Sequence, residues 1–308
     1  MKVFDKTPLP DELLGKVGYV QGDVREYDEL ERELSDTNLL IHTAIIQIPL
    51  INEKKRLGYQ VNYAGTENIC RLVDETPSIK GMILIGSWHT MGEVGLQGTI
   101  DEEFGFRPDK VEERAKLYVL SKIAQESIVR FYDSMSDKIY CVIRSGTILG
   151  EGMPEKTAVS IFINNALSGK PLTPFRHSLY RPMLYVAVED VCLATQCIAE
   201  KILTYDTDQR TGSPERIVNI YYPKPITILD VARIVSGAVV KYSAEKITPR
   251  IEICCTGSPI LFDELSTRQI TVDTTRVERL LSPVRLKNPK EVIEGLVKAR
   301  LADSMSEM

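Results

Sequence analysis

Residues 81–87 read Gly-Met-Ile-Leu-Ile-Gly-Ser, a short apolar run that ends in a hydroxyl side chain. Comparable runs rich in Val and Ile recur through the first two-thirds of the chain, at residues 17–24, 39–44 and 139–145. Continuous apolar runs of this length are typical of strands that are buried on both faces of a parallel sheet. We therefore predict a fold that is built around such a sheet.

The segments between these runs carry helical periodicity. Small and apolar residues recur every three or four positions in residues 60–75, and again in residues 110–134. Strands that alternate with helices predict an α/β fold with a doubly wound parallel sheet and right-handed crossovers. After Gly150 prolines become frequent and strand-like runs become few. We therefore predict a larger domain from residues 1–150 and 181–222, and a smaller C-terminal lobe from residues 151–180 and 223–308.

Composition excludes several classes of protein. The chain has 308 residues and a formal net charge of −5, so it offers no basic stripe for nucleic acid. Its apolar stretches are shorter than the roughly 20 residues that a bilayer requires, and the N-terminus has no secretory pattern. The six cysteines and three histidines are scattered, which predicts a reduced, cytoplasmic protein without a metal.

The segment with the clearest chemistry is Tyr118-Val-Leu-Ser-Lys122, within the second predicted helix. A tyrosine and a lysine four residues apart leave the same helix face. An ammonium close to a phenol favours the phenolate, so we expect a lowered pKa at Tyr118. Ser87 ends a predicted strand, where ligands of open α/β sheets bind. Each pattern alone also fits a plain surface helix or a turn-capping serine.

Several segments, in the correct order, resemble the extended short-chain dehydrogenase/reductase family, which includes NAD-dependent epimerases, dehydratases and hydroxysteroid-dehydrogenase-like enzymes. Residues 118–126 match the family's Tyr-x-x-Ser-Lys-x-x-x-Glu, and residues 85–92 are similar to its Ser-Ser-Ser-x-x-Val-Tyr-Gly. The resemblance implies a Rossmann-type sheet with Tyr118 as the general acid/base. It also implies that Ser87 hydrogen-bonds the reacting oxygen, and that Lys122 holds the nicotinamide ribose and tunes the tyrosine.

The resemblance extends to the cofactor site. Residues 22–24 resemble the family's turn at the adenine, residues 40–44 its strand end beside the cofactor, and residues 61–66 its Val-Asn-x-x-Gly-Thr. Residues 1–5 look like its second strand, which implies NAD rather than NADP because a carboxylate there repels a 2′-phosphate. The implied cofactor-binding residues are Asp5, Asp23, Val24, Thr43, Ala44, Asn62, Tyr118 and Lys122.

The substrate is less sharply indicated. Residues 144–152 and 181–191 also resemble segments of the family, and Thr147 stands where nucleotide-sugar members often place Asn. We take His89, Thr147 and Arg181 as candidate substrate-binding residues, although structural roles are equally open. The implied reaction is at a secondary alcohol or ketone, on a nucleotide-sugar or sterol-like molecule. A non-catalytic relative, used for cofactor sensing or protein contact, is the alternative.

One part of the family pattern is not found. The family opens with a strand and a glycine-rich turn whose helix holds the pyrophosphate. Gly15, Gly18 and Gly22 have a similar spacing but lead into a strand, so we interpret them as a turn. We expect that the first βα unit is missing, either through a mis-assigned start or through real loss, and that this chain binds NAD poorly. The family also implies a homodimer through the helices that bear Asn62 and Tyr118.

Overall fold

The computed structural model describes residues 1–205 and 213–306. Within them the strands β1 to β12 are, in chain order, Lys2–Asp5, Gly18–Gln21, Leu39–His42, Gly81–Ile85, Gly98–Ile100, Ile139–Ser145, Thr147–Leu149, Pro182–Met183, Tyr185–Ala187, Ile217–Ile220, Ile226–Thr227 and Ile270–Val272. The α-helices α1 to α10 are Tyr27–Leu34, Leu50–Glu53, Lys55–Tyr59, Gly65–Glu75, Lys116–Met135, Ala158–Leu167, Val188–Thr204, Ile228–Tyr242, Thr275–Leu281 and Pro289–Ser306. A π-helical turn, Gln60–Ala64, joins α3 to α4.

The first of two compact units consists of Met1–Thr90, Phe106–Arg144 and Thr195–Val218. The strand order of its main sheet is β10-β6-β4-β3, and β3, β4 and β6 run parallel. The predicted parallel sheet with intervening helices is therefore confirmed. Apolar side chains of β4 and β6 form a fully buried core with the inward face of α4.

The strands β1 and β2 form a separate parallel pair. Phe4 of β1 and Leu40 of β3 nevertheless pack against the same hydrophobic core. In residues 1–205 and 213–306, neither β1 nor β3 pairs with a further strand on its other side, and Ile41 of β3 is 47% exposed. The absence of the family's first strand stays a prediction.

A buried ion pair connects α5 to the end of β6. Arg144 Nε lies 3.0 Å from Glu126 Oε2 and Arg144 Nη2 lies 2.6 Å from Glu126 Oε1, and both side chains are almost completely buried. The Arg144 guanidinium also lies over the ring of Phe106, at 5.5 Å. Removing Glu126 would therefore take from Arg144 the carboxylate that it contacts in the core.

We expect Glu126→Ala to lower the free energy of unfolding by roughly 3–5 kcal/mol, because it removes the carboxylate that pairs with a buried guanidinium. Urea unfolding measures this loss. The matched control is Glu75→Ala, which breaks the exposed i,i+4 pair of Arg71 and Glu75, where N and O lie 3.0 Å apart. That loss should be much smaller, and equal losses in the two variants would contradict the role of the buried pair.

The second unit consists of Met91–Gly105, Ser145–Ala194 and Asn219–Met308. Its strands form three pairs: β7 with β9 and β5 with β12, both parallel, and β8 with β11, antiparallel. The predicted domain boundary differs from this division. Residues 91–105 and 145–149 group with the second unit because their strands, β5 and β7, hydrogen-bond to strands of that unit.

In the described part of the chain, none of the helices is both long and apolar enough to span a membrane.

Candidate active site

The site lies in the first unit, where α5 passes the carboxyl end of β4. Ser87 comes two residues after β4, and its hydroxyl lies close enough to Tyr118 to influence the pKa of the phenol. One helical turn further on, Lys122 donates from Nζ to the carbonyl oxygen of Ile85, over 2.8 Å. The structure thus brings Ser87, Tyr118 and Lys122 together at the end of one strand, and Ser87 and Lys122 are both buried.

Burial governs the protonation of this site. It raises the pKa of Tyr118 above its ordinary value, while the nearby hydroxyl of Ser87 opposes that change. Burial also lowers the pKa of Lys122 to about 7. The expected lowering of the Tyr118 pKa is therefore wrong for this state of the site. The physical reason is that Lys122 directs its ammonium to a backbone carbonyl, and a desolvated site disfavours both charged forms.

His89 adjoins the serine. Its Nδ1 lies 3.1 Å from Ser87 Oγ, and its backbone N–H donates to the same oxygen, with 3.3 Å between N and Oγ. The imidazole meets the Tyr118 ring edge-on, with 6.1 Å between the ring centroids. The candidate substrate residue His89 thus contacts both Ser87 and Tyr118.

Asn62 fixes the loop after β3 against α5. Its Oδ1 accepts from the backbone N–H of Ile46 at 2.7 Å, and its Nδ2 donates to Ile46 O at 3.1 Å and to Ser121 Oγ at 3.0 Å. Ser121 in turn donates to the carbonyl of Tyr118 at 2.8 Å. Asn62 is therefore linked through one serine to the backbone that carries the tyrosine.

A second buried network was not predicted from the sequence. Thr66 Oγ1 lies 2.9 Å from His42 Nε2, accepts from Gln125 Nε2 at 2.9 Å and donates to the carbonyl of Asn62 at 2.9 Å. Because Thr66 gives its only proton to Asn62, the hydrogen bond between Thr66 and His42 is donated by His42 Nε2. The sequence feature that indicates these contacts is helical spacing, because Ser121 and Gln125 follow Tyr118 by three and seven residues and so share its helix face.

We expect His42 to make the protein sensitive to acid. Burial, with the Lys122 cation as a second cause, lowers the His42 pKa to about 3, whereas an unfolded histidine titrates near 6.5. Between those pH values the unfolded chain binds the proton first, so stability falls as the pH falls, by up to about 1.4 kcal/mol per pH unit.

Urea unfolding between pH 7 and pH 4 measures this slope. His42→Gln, which stays neutral, should flatten it, and His177→Gln in the second unit should leave it unchanged. An equal slope in His42→Gln and the wild type would contradict the assignment.

Five of the candidate cofactor residues lie at the carboxyl ends of three strands of the first unit. Asp5 ends β1, Asp23 and Val24 follow β2, and Thr43 and Ala44 follow β3. Asp5 Oδ1 accepts from the backbone of residue 7 at 2.7 Å.

Asp23 carries the most strongly bound carboxylate of this group. Its Oδ2 lies 2.6 Å from Arg25 Nη2 and 3.1 Å from Lys6 Nζ. Arg25, above all, holds the pKa of Asp23 well below its usual range. The aspartate therefore stays ionised at neutral pH, with its charge already compensated by neighbouring cations.

The glycine turns that precede β2 and β5 do not open helices. Gly15 adopts a φ of 74° in the turn before β2, and Gly18 is the first residue of that strand, as the sequence predicts. Gly92, Gly95 and Gly98 have the family's three-residue spacing and positive φ values, but they lead into β5. Across residues 1–205 and 213–306, no Gly-x-x-Gly-x-x-Gly turn follows a strand and begins a helix.

The two remaining candidate substrate residues belong to the second unit. The backbone N–H of Thr147 donates to Leu184 O at 2.7 Å, and the side chain is partly exposed. Arg181 is buried and forms an ion pair with Glu93, which is also buried. Its charge is therefore compensated within the unit, and contacts of Thr147 and Arg181 with a substrate stay predictions.

A sequence model of the NAD dependent epimerase/dehydratase family matches residues 5–218. The chain belongs to this family. The resemblance stated from the motifs is thereby confirmed, and the Rossmann-type α/β fold follows.

Curated relatives of the chain are of two kinds. UDP-glucuronate 4-epimerase 4 of Arabidopsis thaliana is 24% identical over 239 residues, which are 74% of this chain and 52% of that protein. The 3 beta-hydroxysteroid dehydrogenase/Delta 5-->4-isomerase of vaccinia virus is 25% identical over 166 residues, which are 49% of this chain and 45% of that protein. The chain thus spans about half the length of these relatives.

Solved structures share the fold. UDP-glucose 4-epimerase of Thermus thermophilus in complex with NAD superimposes with a TM-score of 0.73 at 20% identity, over 97% of this chain and 90% of that one. The dTDP-glucose 4,6-dehydratase of Bacillus anthracis, also in complex with NAD, gives a TM-score of 0.73 at 17% identity, over 96% and 84%. At these identities the similarity shows the fold alone.

Proposed function

We propose that this chain catalyses NAD-dependent chemistry at a carbon that bears a secondary alcohol or ketone, as an oxidoreductase or epimerase. The observation that carries the proposal is the convergence of Ser87, Tyr118 and Lys122 at the carboxyl end of β4. A nucleotide sugar is the first substrate class to test, because the plant relative is a UDP-glucuronate epimerase. A 3β-hydroxysteroid is the second, because of the viral relatives.

The residues present fit two ends of NAD. Tyr118 and Lys122 would hold the nicotinamide ribose. Thr43, Ala44 and Asn62 would line the strand end beside the cofactor. Asp5, Asp23 and Val24 would contact the adenosine. When bound, NAD supplies the acceptor and donor of the hydride. The described residues hold no glycine-rich helix start for the pyrophosphate.

Residues of the chain itself transfer the proton, orient the reacting groups and supply the charge. The phenol of Tyr118 gives or takes the proton of the reacting oxygen, and Ser87 orients both groups by hydrogen bonding. Lys122, with a pKa near 7, changes charge close to neutral pH, and a cation at that position favours the phenolate. Thr147, His89 and Arg181 remain the candidates for substrate contact.

The proposal is tested by incubating the full chain with NAD and UDP-glucuronate and following the C4 epimer by proton NMR. A parallel reaction contains NAD and a 3β-hydroxysteroid and is followed by absorbance at 340 nm. We expect turnover in one of the two reactions. NAD binding in calorimetry without turnover in either would favour the alternative of a non-catalytic relative that senses the cofactor.

We further propose a homodimer through α5. Phe131 and Met135, one helical turn apart, are 68% and 57% exposed on this helix. We expect Phe131→Glu to shift the protein from dimer to monomer in size-exclusion chromatography with light scattering, because a carboxylate cannot be buried there without a partner. Phe175→Glu, which alters an exposed phenylalanine of the second unit, should leave the dimer intact. A monomeric wild type would contradict the proposal.

A further inference from the structure

The side-chain amide of Gln125 lies in the first unit, on α5, three residues after Lys122. This side chain is completely buried. Its Nε2 carries two protons, and two acceptors lie within reach of them: Thr66 Oγ1 at 2.9 Å and the carbonyl oxygen of Ala44 at 3.4 Å. The amide therefore connects the helix that carries Tyr118 to the segment that follows β3.

The neighbours of this amide determine which way it points. Thr66 gives its only proton to the carbonyl of Asn62, over 2.9 Å, so it can only accept from Gln125. His42 Nε2 occupies the second acceptor position of Thr66, also at 2.9 Å. The carbonyl oxygen of Ala44 is likewise only an acceptor. The reverse orientation of the amide would place its oxygen against two acceptors, so Nε2 must face them.

The oxygen of the same amide has no protein partner. Gln125 Oε1 is buried, and in residues 1–205 and 213–306 no donor lies within hydrogen-bond distance of it. A buried acceptor without a donor costs folding free energy, and an apolar side chain of similar length, such as methionine, would contain no such atom. The glutamine is therefore not the most stable choice at this position, which points to a use for the two hydrogen bonds that it donates.

We propose that Gln125 is a positioning residue, which holds the Ala44 segment of the cofactor site against the helix that carries Tyr118. The role deepens the proposed function and rests on it, because Ala44 is one of the residues that would line the strand end beside NAD. The hydrogen bond to the Ala44 carbonyl acts on that segment directly, and the bond to Thr66 attaches the same amide to α4. A segment that is already held in place loses less conformational freedom when a ligand binds.

Calorimetry with NAD and urea unfolding without NAD test this role in the full chain. Gln125→Met fills a similar volume but donates no hydrogen bond. We expect its dissociation constant for NAD to rise roughly 2- to 10-fold, the net value of one hydrogen bond. Its urea midpoint should change little, because the lost bonds and the removed unpaired oxygen offset each other. The matched control is Gln196→Met, which alters an exposed glutamine of α7 that donates to Glu200 at 2.9 Å and should change neither quantity.

Conservative replacement of Thr66 and steady-state kinetics separate positioning from a merely structural role. Thr66→Ser keeps the hydroxyl and should keep the wild-type affinity for NAD, whereas Thr66→Val removes it and should weaken NAD binding as Gln125→Met does. With the substrate that shows turnover above, Gln125→Met should raise KM for NAD and leave kcat at saturating NAD little changed. The amide acts on the cofactor segment and not on the proton of Tyr118, so the opposite split would contradict the proposal.

The dissociation constant for NAD decides between the outcomes. Wild-type NAD affinity in Gln125→Met, whatever its urea midpoint, would show that the glutamine only supports the fold, and would overturn the positioning role while the proposed function stands. Failure of the wild type itself to bind NAD would refute the proposed function, and the positioning role with it.

Discussion

Tyr118→Phe is expected to lower kcat roughly 10²- to 10⁴-fold, which corresponds to about 3–5 kcal/mol of transition-state free energy. The substitution removes the phenolic O–H, and with it the only group that the proposal allows to exchange a proton with the reacting oxygen. It leaves the ring that meets His89 edge-on, so the local packing should persist. NAD affinity, measured by calorimetry, should change little.

The matched control is Tyr132→Phe. Tyr132 lies on the same helix and donates its phenolic O–H to Glu67 Oε1 at 3.1 Å, outside the site. Its kcat should equal that of the wild type. Retained turnover in Tyr118→Phe would contradict the assignment of the acid/base, whereas equal losses in the two variants would point to a general disturbance of α5.

Lys122→Met is expected to abolish turnover and to raise the free energy of unfolding at pH 7, on the order of 3 kcal/mol. A buried ammonium is costly, and the pKa of about 7 at Lys122 records that cost. Methionine fills a similar volume without charge. A variant that is more stable than the wild type but inactive indicates that the replaced side chain serves function and not stability.

The pH dependence of this gain has a definite sign. Because the folded pKa of Lys122 lies below its unfolded value of 10.5, the unfolded chain binds more protons between about pH 7 and pH 10.5. Wild-type stability should therefore rise with pH across that window relative to the variant, and the gap should close. Urea unfolding at pH 7 and pH 9.5 measures it. Lys116→Met alters an exposed lysine of α5 and should parallel the wild type, and a constant gap for Lys122→Met would contradict the account of burial.

Local patterns predicted the elements that carry the site. The apolar run that became β4 and the helical spacing of Tyr118 and Lys122 are properties of adjacent residues. The end of a parallel strand then determines that Ser87 meets the helix. Apart from Asn62 and His89, the predicted site residues on the first unit accordingly lie at strand ends or on α5.

Long-range pairing and burial could not be predicted in the same way. The pairing of β5 with β12 joins segments that are far apart in the chain. The boundaries of the two units therefore differ from the domain boundary that the sequence predicts at Gly150. The network of His42, Thr66 and Gln125 requires three elements to converge. Desolvation, which reverses the expected pKa change of Tyr118, depends on the packed surroundings and not on sequence spacing.

The most direct measurement follows deuterium from the substrate carbon to the cofactor. The full chain, in excess over substrate, is mixed with NAD and either UDP-glucuronate deuterated at C4 or a 3β-hydroxysteroid deuterated at C3. The reaction is stopped within one turnover, before an epimerase would return the deuteride to the sugar, and the nicotinamide is analysed by mass spectrometry. We expect deuterated nicotinamide with the wild type and almost none with Tyr118→Phe. Equal transfer by both proteins, or NAD bound to the wild type without transfer from either substrate, would contradict a redox site built from Ser87, Tyr118 and Lys122.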